Sequence, residues 1–328
     1  MKTSKKYLFA SLFLLVCFVL SLTLGRYPLS LKEIFAILFL GQGKDVAVNI
    51  FYNIRLVRCL QVILCGAALS LAGFLYQSGF HNALVSPDTL GVSGGASVGA
   101  IIAILFFGGS PVLRQVFSFA GGILAVIVSL LLSVLIGRDR RISLLLAGII
   151  VSALANSAIM AFKYLADPAT QLAVIDYWLM GSFSLIDKNK LFITAVIILP
   201  CLILVTLFRY RFKALLLSEE EARTLGVDTG KLYLLCIGVS TLLTAASVSM
   251  SGIVSWIGLL TPHIVKTVFR SSFEETMLLC MPIGASLLLL SDTAARSLTM
   301  SEIPVSIITS LTGAVFLFLF LYLKKGRP

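Results

Sequence analysis

Three arginines beside apolar segments are the residues of this chain whose type and spacing most clearly suggest chemistry. Arg55 and Arg58 stand three positions apart at the start of one apolar run, and Arg296 follows the end of another. Guanidinium groups bind carboxylates through paired hydrogen bonds. Basic residues are normally scarce on the outer side of a membrane protein, so an outer position would predict an acidic partner arriving from outside. Snorkelling of the arginines to the membrane interface is the simpler alternative.

The sequence contains no recognisable set of catalytic or metal-binding residues. It lacks the GxxxxGK[ST], HExxH, CxxC and GxSxG patterns. His81 and His263 are its only histidines, and its six cysteines lie in or beside apolar runs, as small buried hydrophobes do. Asp292 precedes Arg296 by four positions, so on a helix we expect these two side chains to pair. We therefore expect a non-catalytic chain with no metal site and no bound cofactor.

The composition is that of a membrane protein. Of the 328 residues, 59% are hydrophobic and only 12% are charged, whereas soluble domains carry about 25% charged residues. The net charge of +11 is spread in short clusters between apolar runs. That distribution argues against nucleic-acid binding and fits loops that face an anionic lipid surface.

Ten apolar runs are long enough, or nearly so, to cross a bilayer. The first is expected to be a retained helix, because it is longer than the core of a signal peptide and no small-x-small cleavage site follows it. More lysines and arginines fall on the side of both chain ends than on the other side, which predicts cytoplasmic termini. The sequence thus predicts one all-α transmembrane domain over residues 1–328, with runs at 7–24, 56–77, 92–107, 116–136, 143–162, 191–208, 232–250, 253–268, 277–295 and 304–323. The shorter run 34–40 is expected at the outer interface.

A short acidic segment lies within the longest hydrophilic stretch, 209–231. Ser218 and Glu221 have the spacing of a capping box, and Gly226 is a natural helix stop. We predict a two-turn cytoplasmic helix over 218–226 that is either a connector or a contact surface for a cytoplasmic partner. Its candidate contact residues are Ser218, Glu219, Glu220, Glu221, Ala222, Arg223, Leu225 and Gly226.

Small and polar residues in the third and fifth runs are candidates for the lining of a path. Gly94, Gly95 and Ser97 belong to a stretch of almost entirely small residues. Such residues let helix backbones approach closely in lipid, and the alternative is that they line a path for a bulky solute. Asn156 in the fifth run is expected to face a cavity or a neighbouring helix.

Several motifs in a fixed order give the chain a family resemblance. It resembles the FecCD and BtuC-like permeases of type II ABC importers, which take up iron-siderophores, haem and vitamin B12. The family commonly has proline where Val57, Ala83 and Ile253 stand here. The motifs that carry the resemblance are Arg55-Leu-Val-Arg58, Gly73-x-x-Tyr76-Gln77, Asn82-x-Leu-x-Ser-Pro87-Asp-x-Leu-Gly91, Leu146-Ala-Gly148, Tyr177-Trp-Leu-Met-Gly181, Glu221-Ala-Arg-x-Leu-Gly226, Gly258-Leu-x-x-Pro262-His263, Asp292-x-x-Ala-Arg296 and Glu302-Ile-Pro304.

The resemblance implies a complete transport assembly in the bacterial cytoplasmic membrane. Two permease copies, expected as a homodimer, would surround a central path, and two separate ATPase subunits would bind ATP and Mg²⁺. A soluble extracytoplasmic binding protein would deliver the cargo, with an iron-siderophore or haem favoured and cobalamin as the alternative. A secondary carrier driven by an ion gradient is a third reading, although it would need buried charge in the spans, which the sequence hardly offers.

The resemblance also assigns roles to particular residues. Arg55, Arg58 and Arg296 correspond to the arginines that dock the binding protein. The helix at 218–226 corresponds to the coupling helix that enters the ATPase. Ser143, in the loop between the fourth and fifth spans, corresponds to the cytoplasmic gate.

Overall fold

The computed structural model describes residues 3–41, 43–108, 110–137, 139–217, 219–224 and 226–325, and these residues form helices and connecting turns without any β-strand. Short 3₁₀ and π-helical turns join some of the helices. The α-helices are α1 Thr3–Thr23, α2 Leu31–Phe35, α3 Asp45–Asn49, α4 Leu56–Gly79, α5 Val92–Phe106, α6 Pro111–Ile136, α7 Arg140–Leu165, α8 Gln171–Leu179, α9 Lys188–Leu207, α10 Arg209–Phe212, α11 Glu219–Thr224, α12 Thr229–Ser251, α13 Ile257–Phe269, α14 Phe273–Ser297 and α15 Val305–Lys325.

Each of the ten predicted apolar runs corresponds to a helix, which confirms the all-α membrane fold. Within the described residues, seven helical spans are long and apolar enough to cross a membrane: α1, α6, α7, α9, α12, α14 and the continuous stretch Asp45–Gly79 that contains α4. The other three apolar helices, α5, α13 and the apolar part of α15, are shorter. They are the third, eighth and tenth of the predicted runs.

Two parts of the chain differ from the sequence prediction. The eighth run was expected from residue 253, but α13 begins only at Ile257, because Gly252 adopts a φ of +70° and the chain turns there. The helix α8 was not predicted, since nine residues between two spans give no signal of spanning length. The run 34–40 is helical, and Phe35 and Phe39 are 57% and 72% exposed, which suits an interfacial position.

The helices α4 and α12 form the centre of the bundle. Most residues of both helices are buried, and α4 packs against α9, α12, α13 and α14. The helices α1, α6, α7 and α9 lie at the periphery, and most of their apolar side chains point outward. In a bilayer those outward faces meet lipid tails or another subunit.

Side-chain contacts divide the bundle into two ends. At the end where α1 begins, called here the N-terminal end, Lys6 pairs with Glu275 at 2.7 Å and Lys213 pairs with Glu274 at 2.9 Å. At the opposite end, called here the arginine end, Arg296 of α14 bonds to the last turn of α1. The ten apolar helices run between these two ends, so the acidic helix α11 and the three arginines lie on opposite sides of the bundle.

Candidate functional site

Arg58 forms a buried double ion pair at the arginine end. Its Nη2 lies 2.9 Å from Oδ1 of Asp292 on α14, and its Nε donates to the same carboxylate at 3.1–3.2 Å. Its Nη1 donates to both oxygens of Glu302, each at 3.1 Å. Asp292 is wholly buried and Arg58 is 8% exposed, whereas the side chain of Glu302 remains 22% exposed. Arg58 therefore fastens α4 to α14 and to the segment that precedes α15.

Arg55 and Arg296 bind the turn that follows α1. Arg296 donates to the Ser21 hydroxyl at 2.8 Å and also to backbone carbonyls at the end of α1. Arg55 donates to the carbonyls of Leu22, Thr23 and Tyr27. Both arginines are at most 7% exposed. They hold the end of α1 against α4 and α14 through backbone carbonyls and the Ser21 hydroxyl.

The structure thus brings the three predicted arginines together at one end but turns their side chains inward. The expected Asp292–Arg296 pair is present at 3.5 Å, although Nε of Arg296 makes no hydrogen bond there. The shorter partner of Asp292 is Arg58, which sequence reasoning missed, as it missed Glu302. The sequence held a signal for both contacts. Asp292 lies near the end of the ninth apolar run and Glu302 just before the tenth, which places both carboxylates on the same side of the membrane as Arg58. Docking through the arginines stays a prediction.

The predicted acidic helix is present as α11, Glu219–Thr224. It ends in a Schellman arrangement: the N–H of Val227 donates to the Ala222 carbonyl at 3.0 Å, and Gly226 has a φ of +72°. Only glycine adopts that conformation without strain, so Gly226 sets the helix end. Ser218 and Leu225 lie outside the described residues, and of Glu219, Glu220 and Arg223 only the helical backbone is described. Glu221 is exposed and Ala222 is fully buried.

The segment before α11 is anchored in the bundle. Phe212 and Leu215 are buried in the same apolar core as α4, α12 and α14. The Leu215 carbonyl accepts the Nε2–H of His81, whose Nδ1 in turn accepts from Arg141 at 3.0 Å. The acidic helix therefore projects from a firmly held base, and movement of the helix would be passed to α4 and α12.

The small residues of α5 pack helices together. A Cβ on Gly95 would lie 2.4 Å from the Gly121 carbonyl oxygen of α6, and one on Gly94 would lie 2.9 Å from Ala155 of α7. Ser97 is fully buried and donates to the Ser93 carbonyl at 2.7 Å. Gly95 and Ser97 therefore pack against neighbouring parts of this chain, and their assignment to a path stays a prediction. These distances fit the close approach of helix backbones that small residues allow.

The other two path candidates lie on α7. Ser143 is buried in the first turn of that helix, where its N–H donates to the Asp139 carbonyl at 2.8 Å. Asn156 is exposed on the outward face, beside Leu154 and Met160, which are 62% and 65% exposed. A polar side chain on an outward apolar face suits a path between subunits better than a lipid contact. Neither role is tested by the geometry of a single chain.

Comparison with known proteins places the chain among importer permeases. Residues 13–324 match the model of the FecCD transport family. The molybdate import system permease protein MolB of Haemophilus influenzae is 35% identical, over 96% of this chain and 95% of its own length. The hemin transport system permease protein HmuU of Yersinia pestis is also 35% identical, over 95% of both chains.

A solved structure shares the whole fold. It is an inward-facing conformation of a metal-chelate type ABC transporter, and it superposes with a TM-score of 0.88 at 33% identity. The match covers 97% of this chain and 99% of the other. The family match over most of the length, the relatives above 30% identity and the shared ten-helix architecture agree, and this chain belongs to the FecCD transport family.

Proposed function

We propose that this chain is the membrane-spanning permease of an ATP-driven importer for a metal chelate. The observation that carries the proposal is the placement of a projecting acidic helix and an arginine cluster at opposite ends of one apolar bundle. A protein that must receive an ATPase on one side and a cargo-binding protein on the other needs two such surfaces. The family match and the relatives support ATP-driven import as the reaction. In this proposal ATP hydrolysis belongs to a separate subunit.

The N-terminal end, in this proposal, faces the cytoplasm. Helix α11 enters a cleft of the ATPase, and ATP-driven closure of the two ATPase subunits pulls on it. Because Phe212 and Leu215 are buried against the central helices, the pull moves packed helices rather than a loose loop. The outward apolar faces of α7 and its neighbours are the surface for a second permease copy, with the path between the two copies.

The arginine end receives the cargo-binding protein. Carboxylates of that protein are expected to bind the guanidinium groups, as the family resemblance implies. In this chain Glu302 already occupies Nη1 of Arg58, so a docking carboxylate must displace Glu302 or share the arginine with it. Docking therefore includes a rearrangement of the segment between α14 and α15, which the sequence alone did not suggest.

The cargo is proposed to be an iron chelate or haem, by kinship with the hemin and metal-chelate transporters. Molybdate and cobalamin are the competing cargoes. A secondary carrier is disfavoured by a specific observation: the carboxylate of Asp292 is fully buried but is held by Arg58, so it is not free to carry protons through the membrane.

Reconstitution into vesicles tests the proposal. The permease is inserted with its ATPase and binding protein, and uptake of ferric siderophore, haem, molybdate and cobalamin is measured with and without ATP. We expect ATP-dependent uptake of an iron compound that stops when either partner is omitted. Uptake by the permease alone along an ion gradient would refute the importer assignment. ATP-dependent uptake of molybdate or cobalamin would refute only the cargo.

A further inference from the structure

A second cavity at the arginine end of the bundle has no part in docking or coupling. It lies between the first turns of α6 and α9, the end of α12 and one face of α8, and its volume is about 330 Å³. Ser182 in its wall donates its N–H to the Ser251 carbonyl at 2.7 Å, and the neighbouring Gly181 carbonyl accepts the N–H of Val305 at 3.0 Å. Val305 begins α15 three positions after Glu302, so the cavity opens on the arginine side of the bundle.

The wall of this cavity contains two cations, and none of its described residues is acidic. Arg114 of α6 and Lys190 of α9 are both half-buried there. Within the described part of the chain, the guanidinium group of Arg114 makes no hydrogen bond or ion pair. The ammonium group of Lys190 donates to the Leu185 carbonyl, which leaves two of its three N–H groups for another acceptor. Like charges that face one cavity repel each other, and an anion bound between them removes that repulsion.

The carboxylates nearest to this cavity are already engaged elsewhere. Asp187 is exposed outside the cavity and accepts the backbone N–H of Lys190 at 2.8 Å, so it caps α9. Asp176 of α8 pairs with Lys163 at 2.7 Å. The start of α6 has no such cap, because Ser110 makes no side-chain bond to the helix. The potential inside the cavity is therefore positive, chiefly from the two side-chain cations.

The rest of the wall is that of a site at the membrane interface. Tyr177 and Trp178 of α8 line it, and such amphipathic rings are enriched where lipid meets water. The Tyr177 hydroxyl is held by Ser182 at 3.1 Å, which fixes this wall. Helices α6 and α9 both lie at the periphery of the bundle and expose apolar side chains, such as Val116 and Phe192, beyond the cavity. A ligand held here by its charge therefore has hydrocarbon beside it.

We propose that this cavity binds the head group of an anionic phospholipid. Arg114 and Lys190 would donate to the phosphate oxygens from two sides, and the acyl chains would lie along the outward faces of α6 and α9. The cavity lies where two spanning helices begin, which is the depth of head groups, and basic pockets between such helices bind anionic head groups. A choline head group would bring a further cation toward both side chains. The same donors could accept inorganic phosphate, and the site does not depend on the transport function proposed above.

The test uses the full-length permease purified in detergent. The protein is titrated with phosphatidylglycerol or with phosphatidylcholine, and bound lipid is counted by native mass spectrometry. A third titration adds inorganic phosphate as a competitor of phosphatidylglycerol. The cavity variants are Arg114→Gln, Lys190→Gln and the charge-retaining Arg114→Lys. The matched controls are Lys188→Gln and Arg26→Gln, because Lys188 is exposed in the same turn of α9 and Arg26 is exposed at the same end, both outside the cavity.

We expect the parent to prefer phosphatidylglycerol to phosphatidylcholine. Arg114→Gln and Lys190→Gln should each weaken phosphatidylglycerol binding by about fivefold, the contribution of one basic residue near a head group. Arg114→Lys should lose less, and the controls should bind as the parent does. Equal phosphatidylglycerol binding by the two glutamine variants and the controls would overturn the proposal, and so would equal loss of both lipids, since the head-group charge would then not be recognised. Displacement of phosphatidylglycerol by inorganic phosphate would assign the cavity to the free anion and overturn the lipid assignment.

Discussion

Replacing Asp292 by asparagine should destabilise the permease far more than the same change at an exposed ion pair. Asp292 is fully buried and faces Arg58 at 2.9 Å and Arg296 at 3.5 Å. Removing one member of a buried pair leaves uncompensated charge and costs about 3–5 kcal/mol. Asparagine keeps the shape and one acceptor, and Glu302 still binds Arg58, so we expect the lower figure, about 3 kcal/mol. At about 2 °C per kcal/mol for a chain of this size, the Tm falls by about 6 °C.

The matched control is Asp176→Asn at the same end of the bundle. Asp176 pairs with Lys163 at 2.7 Å, but the two side chains are 38% and 36% exposed. Exposed pairs contribute at most about 1 kcal/mol, so its Tm should fall by no more than about 2 °C. Thermal unfolding of the purified permease in one detergent gives both values. Equal destabilisation by Asp292→Asn and Asp176→Asn would refute the buried-pair reasoning.

Three further changes test helix packing, coupling and docking. Gly73→Ala should prevent recovery of folded protein, because its Cβ would lie 1.8 Å from the Gly258 carbonyl oxygen, whereas Gly238→Ala has open space and should be recovered normally by size-exclusion chromatography. Gly226→Ala, which costs about 1 kcal/mol at a positive φ, should weaken ATPase retention in co-purification by up to about fivefold, and unchanged retention would remove the coupling role of the helix end. Glu302→Gln should tighten binding of the cargo-binding protein in surface plasmon resonance, since it frees an arginine for the partner's carboxylate, and weaker binding would contradict that competition.

The existence of the apolar helices was predictable, because the length of an apolar run can be read directly from the local sequence. All ten runs became helices, and some of them begin earlier than predicted, at capping residues. The helix α7 starts at Arg140, three residues before the predicted start, because Asp139 caps it. The helix α14 starts at Phe273, since Ser272 and Glu275 form a capping box. A hydropathy pattern stops at the first charged residue, whereas a helix continues to the residue that satisfies its free N–H groups.

Side-chain environment was much harder to predict than location. The sequence placed Arg55, Arg58 and Arg296 at one end but said nothing of whether they face solvent. Arg58 is separated from Asp292 by 234 positions, and only the packing of α4 against α14 brings them together. The same limit applied to α5, where small residues suit both a packed interface and a path. In each case the deciding contact comes from a distant part of the chain.

The buried arginines change what docking can mean for this protein. An exposed guanidinium would capture a partner carboxylate by simple approach, as the sequence pattern suggests. Here Arg58 is satisfied by two internal carboxylates, and Arg55 and Arg296 are covered by the turn after α1. Three guanidinium groups against two carboxylates still leave one positive charge in excess, so an acidic partner is attracted. To form a direct ion pair with one of the arginines, the partner must displace the Glu302 side chain or the turn after α1. Both are attached to spanning helices. Recognition at this end and movement of the bundle are therefore mechanically linked.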